Sequence, residues 1–179
     1  SLASCDDSNY NKDAGAEADA NVDAGAEVDA GNVNVELRDV ELKFEARVGD
    51  RLAACGQSYD GLGKNGRTAS FADLRWYVYD VKLIDKQGNA VAVELTDDEV
   101  VQWQQVALLD FEDASGDCKN GSALTNHVVR GKVPAGEYEG ISFGVGMPPE
   151  LSHGNPAEQK SPLTIQALAW SWRLGHKFL

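Results

Sequence analysis

The alternation of apolar and polar positions divides the chain in two. From Val33 onward, Val33, Val35 and Leu37 alternate with polar residues, and Val40, Leu42, Phe44, Ala46 and Val48 then alternate on the opposite parity. A period of two marks a strand, because successive side chains of a pleated strand point to opposite faces. The parity switch between Leu37 and Val40 turns the later side chains to the wrong face unless an extra residue is absorbed. A β-bulge near Arg38-Asp39, or two separate strands, is predicted there. Residues 56–70 are polar and Gly-rich and read as a loop. Residues 74–84, LRWYVYDVKLI, are rich in aromatic and β-branched side chains and make the strongest strand. Residues 86–89 are a turn, and 90–95 return as its hairpin partner. Thr96-Asp97-Asp98-Glu99 reads as the cap of a short helical turn ahead of Trp103. Residues 106–111 form a buried strand and 126–133 another, and Pro134-Ala135-Gly136 turns the chain into a strand at 138–145. Only 163–172 has a pattern that also suits a helix. Short strands with turns at this spacing predict an all-β fold, an antiparallel sandwich or Greek-key barrel with long loops.

Residues 1–32 have no such periodicity. Between Asn9 and Asn32 the motif Asp-Ala-Gly-Ala-Glu occurs twice among small residues. Such a stretch has too little apolar bulk to offset the ~1–2 kcal/mol per residue cost of ordering a backbone, so a disordered acidic linker is expected. The stretch Ser1-Leu2-Ala3-Ser4-Cys5 reads as the end of a bacterial lipoprotein signal, in which small residues precede a cysteine that receives lipid. Lipidation at Cys5 would tether the body, 33–179, to a membrane surface on the periplasmic or outer side of the cell. With no initiating Met, the sequence is expected to begin inside its precursor.

The charge narrows the partners. Asp plus Glu number 29 against 16 Lys plus Arg, a formal net charge of -13, so a basic face that tracks phosphates is not expected and nucleic acid is excluded as a partner. No apolar run reaches the ~20 residues of a membrane-spanning helix. With Cys5 assigned to lipid, Cys55 and Cys118, both in Gly-rich loops, make one disulfide in an exported setting; the alternative is that each pairs with a cysteine outside this sequence.

Catalytic patterns are missing. The sequence has no Gly-x-Ser-x-Gly elbow, and Gly144-Val145-Gly146 lacks the rest of a dinucleotide fingerprint. The acidic run 111–117, FEDASGD, reads as a solvated turn rather than a general acid/base pair. His127, His153 and His176 form no HxH or HxxxH pair, so a local zinc motif is unsupported. His153 follows Pro148-Pro149-Glu150-Leu151-Ser152 in an irregular loop, where a polar side chain is free to act. A binding protein, not an enzyme, is the expectation.

The succession LRWYVYDVKLID, QWQQVALLDFEDASGDCKNG, TNHVVRGKVPAGEYEGISFGVGMPPELSHG, SPLTIQALAWSWRLGHKF resembles the MbnP-like family, also called metallo-mystery pair four-Cys motif proteins, over about Cys55 to Phe178. The resemblance implies an exported copper-binding partner of a di-haem enzyme related to cytochrome c peroxidases, similar to the copper proteins MopE and CorA of methane oxidisers. In those, copper is held by histidines and by kynurenine, an oxidised tryptophan. Imidazole suits copper, and opening an indole to an aromatic amine beside a carbonyl creates a ligand where none existed. Carried over residue by residue, His153 is the first ligand, with His176 beside it. Trp103 ranks first as the oxidised residue, followed by Trp170 or Trp172 of the WSW run. The Trp-x-His arrangement of the MopE-like proteins is absent. Two of the family's four cysteines match Cys55 and Cys118, and the other two, with a further His-containing motif, are expected beyond Leu179, so the body reads as truncated at its C-terminus. The alternative is a metal-free surface β-domain that binds another protein.

Overall fold

A computed structural model describes residues 35–155, 157–171 and 173–177. Cys5, the 1–32 linker and Trp172 lie outside the described residues. The strands in chain order are β1 (Leu37–Lys43), β2 (Arg47–Val48), β3 (Arg51–Leu52), β4 (Ser58–Leu62), β5 (Arg67–Ser70), β6 (Arg75–Asp85), β7 (Ala90–Ala92), β8 (Glu94–Leu95), β9 (Gln102–Trp103), β10 (Val106–Asp110), β11 (Val128–Pro134), β12 (Tyr138–Val145), β13 (Ala169–Ser171) and β14 (Gly175–His176). One short helix, α1 (Pro149–Ser152), and a single 3-10 turn at Gln166–Leu168 are the helical elements among the described residues. One sheet has the order β1-β11-β8, and a larger one runs β12-β6-β10-β9 with β7 also on β6. The fold is the all-β antiparallel architecture that the alternation predicts.

The details depart from the sequence reading at four places. β1 runs in unbroken register with β11 from Leu37↔Pro134 to Lys43↔Val128, so no bulge occurs at Arg38-Asp39. Val35 and Leu37 are exposed and mark no buried face, which removes the conflict of parity. The parity switch sits in β6 instead. Asp80 has φ +50 and the register with β12 shifts between Ser142 and Gly144, so Tyr77 and Val81 face different clusters. The polar stretch 56–70 is not an open loop: β4 and β5 pair across it. Residues 90–95 do not stay on one partner, because β7 pairs β6 whereas β8 pairs β11, and the chain crosses between sheets at the buried Val93. Thr96–Glu99 form no helical turn; the Asp98 carboxylate instead accepts hydrogen bonds from the amides of Val100, Val101 and Gln102.

β10 is buried along its whole length and divides the interior. Ala107 and Leu109 join Val78, Val81, Leu83, Val129 and Val133 in the core between the sheets. Val106 and Leu108 face the other way, onto Tyr77, Met147, Leu163 and Leu168. The seam between the sheets is closed by side-chain amides. Buried Gln102 accepts from the Arg130 amide at 2.7 Å and donates to the Arg130 and Thr96 carbonyls at 2.7 Å each, imitating a ladder pair between β9 and β11. Gln105 does the same for Leu95, accepting from its amide at 3.1 Å.

Candidate metal centre

The outer face of β6 and β10 carries the C-terminal segment, where His176 follows a glycine that lies against the loop of His153. Tyr77, fully buried in β6, donates its hydroxyl to the Pro162 carbonyl at 2.9 Å and presents its ring to the edge of His176, centroids 5.8 Å apart at 89°. Burial raises the Tyr77 phenol well above its ordinary range, so it stays a neutral donor. His176, in β14, is buried. Its amide donates to Ser152 Oγ at 3.2 Å, its Nε2 lies 2.9 Å from the Leu163 carbonyl and its Nδ1 3.2 Å from the Ser152 carbonyl. A carbonyl only accepts, so a neutral ring donates through one nitrogen. The shorter contact assigns the proton to Nε2 and leaves the Nδ1 lone pair beside Ser152. A ring N–H held by a carbonyl is how a metal-ligating histidine is oriented, but Nδ1 here faces the Ser152 carbonyl, which an ion would have to displace.

Ser152 ends α1, and His153 follows it at the surface. Gly175 lets the strand of His176 lie against the loop of His153. It has φ +75, and a Cβ there would lie 2.3 Å from Ser152 Oγ and 3.3 Å from His153 Cε1. Only a residue without a side chain lets the β13–β14 turn close on the histidine loop. The space beside His176 is a cavity of about 420 Å³ lined by Ser152, Gly154, Leu163, Trp170 and Gly175. Trp170 is 65% exposed at its mouth, with Lys177 Nζ 5.6 Å from the ring centre.

Trp103 lies on the other side of the same loop. It is half-buried against the outer cluster with Leu151, and it lines a groove with Glu150, Leu151, Gly154 and Asn155. Gly154 and Gln159 belong to both hollows, so the loop that bears His153 is a wall between Trp103 and the His176 cavity. His127 is elsewhere, stacked on Phe111 at 4.6 Å, which stacks in turn on Trp76 at 5.1 Å. Sequence reasoning named His153, His176 and Trp103. It missed Tyr77, Ser152 and Gly175, which position them, since nothing local distinguishes Tyr77 within an aromatic strand.

Cys55 and Cys118 form a disulfide, with Cα atoms 5.9 Å apart. Beside it stands a second unexpected feature. The acidic run was read as a solvated turn, yet Glu112 is 0% exposed. Arg75 Nε lies 3.0 Å from Glu112 Oε1, but Arg75 directs its hydrogen bonds to Asp73, Nε to Oδ1 at 2.9 Å and Nη2 to Oδ2 at 3.1 Å. Both Glu112 oxygens accept no hydrogen bond. Burial pushes the Glu112 carboxyl up to about 7, and burial also raises Asp110. Asp113, which does sit in a turn, is held below the usual range by its hydrogen bonds with Ser115.

A family model for MbnP matches residues 37–179. MbnP from Methylosinus trichosporium is 32% identical in sequence and superposes with a TM-score of 0.69 over 80% of this chain and 54% of that one. The chain thus spans about half the length of that relative. Comparison with curated proteins returned no match. The matched stretch takes in the disulfide, the outer cluster and both histidines, and on it the chain belongs to the MbnP family.

Proposed function

We propose that this protein is an exported, lipid-anchored copper-binding protein rather than an enzyme, and that it carries a kynurenine made from one of its tryptophans by a di-haem, cytochrome c peroxidase-like partner. The observation that carries the reading is the approach of the His153 ring to Gly175, the residue before His176, beside a cavity that His176 lines with an indole at its mouth. The donor set fits copper. Imidazole suits copper, and the ring of His153 would hold the ion together with Nδ1 of His176 once that nitrogen is released from the Ser152 carbonyl. Copper would supply a redox-active or Lewis-acidic centre when bound. The chain's own part is to fix the His176 tautomer through Leu163, hold its ring against Tyr77 and keep the histidine loop in place through Ser152. Trp103 or a tryptophan of the 170–172 run would add the third donor after ring opening. That change leaves the side chain with one more oxygen and one fewer carbon, which intact mass and peptide mapping detect. Lipid on Cys5 places the site at the periplasmic or outer face of a membrane, within reach of the partner.

The test is copper titration of the full chain produced with and without the di-haem partner, with mass determination on the same samples. Copper bound in stoichiometric amount only after the mass change supports the reading. Stoichiometric tryptophan recovery after co-production, with no copper bound, overturns it. A second reading has its own observation. Ile141, Phe143 and Val145 of β12 are exposed on an edge strand, which suits a metal-free surface domain that adds a partner's strand. Under that reading the His153→Ala variant changes nothing in copper affinity.

A further inference from the structure

The buried carboxyl beside the disulfide has no part in holding copper. Glu112 follows β10 into the interior, and one of its oxygens and the two sulfurs of Cys55 and Cys118 all lie within 4.8 Å of one another. With the cysteines joined, this is no metal site, and both carboxyl oxygens lack a hydrogen-bond donor. A buried carboxyl that has the Arg75 charge beside it but accepts no hydrogen bond calls for a reason, because most buried polar groups are satisfied. The surroundings are closely fitted around it. A Cβ on Gly121 would fall 1.9 Å from Glu112 Oε1, and one on Gly116 would fall 2.3 Å from the Gly56 Cα. The loops therefore shut over the disulfide backbone to backbone. The two cysteines are unequal: Cys55 is 9% exposed and Cys118 0%.

We infer that the Cys55–Cys118 disulfide is exchangeable in the folded protein, and that Glu112 is the acid–base group that serves the buried sulfur of Cys118. A thiolate expelled into an apolar interior is costly, and its pKa is high there, so its release needs a proton delivered from within reach. Glu112 stands in the position to deliver it. The step balances with a dithiol as reductant. A thiolate of the dithiol attacks Cys55 Sγ, the S–S bond breaks, its electron pair goes to Cys118 Sγ, and the proton of Glu112 moves to that sulfur. The carboxylate so formed faces Arg75, with Asp73, Asp110 and Asp113 as the other charges around it. The second thiol of the reductant then attacks the mixed disulfide, freeing Cys55 as a thiol with the proton that the second thiol gives up. The reductant leaves as its own disulfide, and Glu112 regains a proton from solvent. Near pH 7 both forms of Glu112 are present, as such a group requires.

The experiment follows reduction of the intact protein by dithiothreitol, trapping free thiols and reading them by mass. Expected is a rate that rises in proportion to dithiothreitol. After correction for the reagent's own thiolate fraction, that rate falls about tenfold or more from pH 6 to pH 8. The Glu112→Gln variant, which keeps the shape but has no proton to give, reduces about tenfold slower at pH 6 and lacks the inflection. If that variant does not fold, a solvent deuterium isotope effect on the wild-type rate at pH 6 reads the same proton transfer, and its absence counts against the inference. A rate independent of dithiothreitol and equal to the unfolding rate overturns it and leaves a structural cross-link. So does a Glu112→Gln variant that matches wild type at every pH.

Discussion

The two faces of β6 and β10 meet different kinds of partner. One face meets a sheet: Ala107, Leu109, Val78 and Val81 pack onto Val129 and Val133 of β11, strand against strand. The other meets irregular chain, where Tyr77, Val106 and Leu108 are covered by Met147, Leu163 and Leu168 from segments with one short helix and a 3-10 turn. Regular partners give stability that does not depend on any one loop. Irregular partners can aim side chains at one point, and there the loop of His153 lies against Gly175, next to His176. Changes on the first face should alter unfolding and spare the proposed copper binding, whereas changes on the second should alter that binding and cost little stability.

The largest effect belongs to the charged group at the end of the regular face. Arg75 is buried between Asp73 and Glu112, with Asp110 nearby. Arg75→Met leaves buried carboxylates without their cation and should cost about 3–5 kcal/mol in urea unfolding, with more lost at pH 8 than at pH 5. If copper affinity falls in parallel while the protein is still folded, the two faces are not separable.

Glu112 sets the pH dependence of the same region. Its folded value, about 7, is raised above the unfolded one, so its stabilising contribution is complete below the usual carboxylate range and is lost as pH rises through 7. Asp110 acts in the same direction. Asp85, held low by Asn89, and Asp113, held low by Ser115, contribute above the usual carboxylate range and lose their effect as pH falls, so neither changes between pH 5 and 8. Wild type should lose up to about 3 kcal/mol over that window, and Glu112→Gln should flatten the curve. An unchanged slope in chemical denaturation would remove Glu112 as its source.

What the sequence reveals follows the same division. Residue type and turn spacing find β6, β10, β11 and β12 because each of them pairs with at least one regular strand. The period of two misplaces the bulge, since Leu37 is apolar yet exposed and Asp80 is polar at the point where the strand turns over. Glu112 is misread because six neighbours on a loop look solvated whatever the sheet end does with one of them. His153 and His176 are 23 positions apart with no spacing rule between them, and the family resemblance, not periodicity, singled them out. The approach of their two segments depends on the positive φ of Gly175, one glycine among 18.

The seam between the faces gives a smaller effect. Gln102→Leu removes an amide that serves Arg130 and Thr96, so the Arg130 amide loses its acceptor and the Thr96 carbonyl its donor, while the Arg130 carbonyl keeps the Thr96 amide. A loss of about 2 kcal/mol is expected in thermal or urea unfolding, with copper affinity unchanged. A value near zero would show that the Arg130 backbone finds other partners and that the sheets do not need the seam.

The smallest effect is the most discriminating, because Tyr77 belongs to the regular strand by its backbone and to the irregular face by its side chain. Tyr77→Phe deletes only the hydroxyl, so the ring stays against His176 and the Pro162 carbonyl loses its donor. Stability should fall by about 1 kcal/mol, the net value of one buried hydrogen bond. The segment from Pro162 to Leu163 is thereby loosened, and Leu163 supplies the carbonyl that fixes the His176 tautomer. Copper affinity should drop several-fold in Tyr77→Phe, more than in Gln102→Leu despite the smaller loss of stability. A ranking of affinity that follows stability instead would mean that the outer face holds its histidines only as firmly as the whole fold does, and would remove Tyr77 from the positioning of the site.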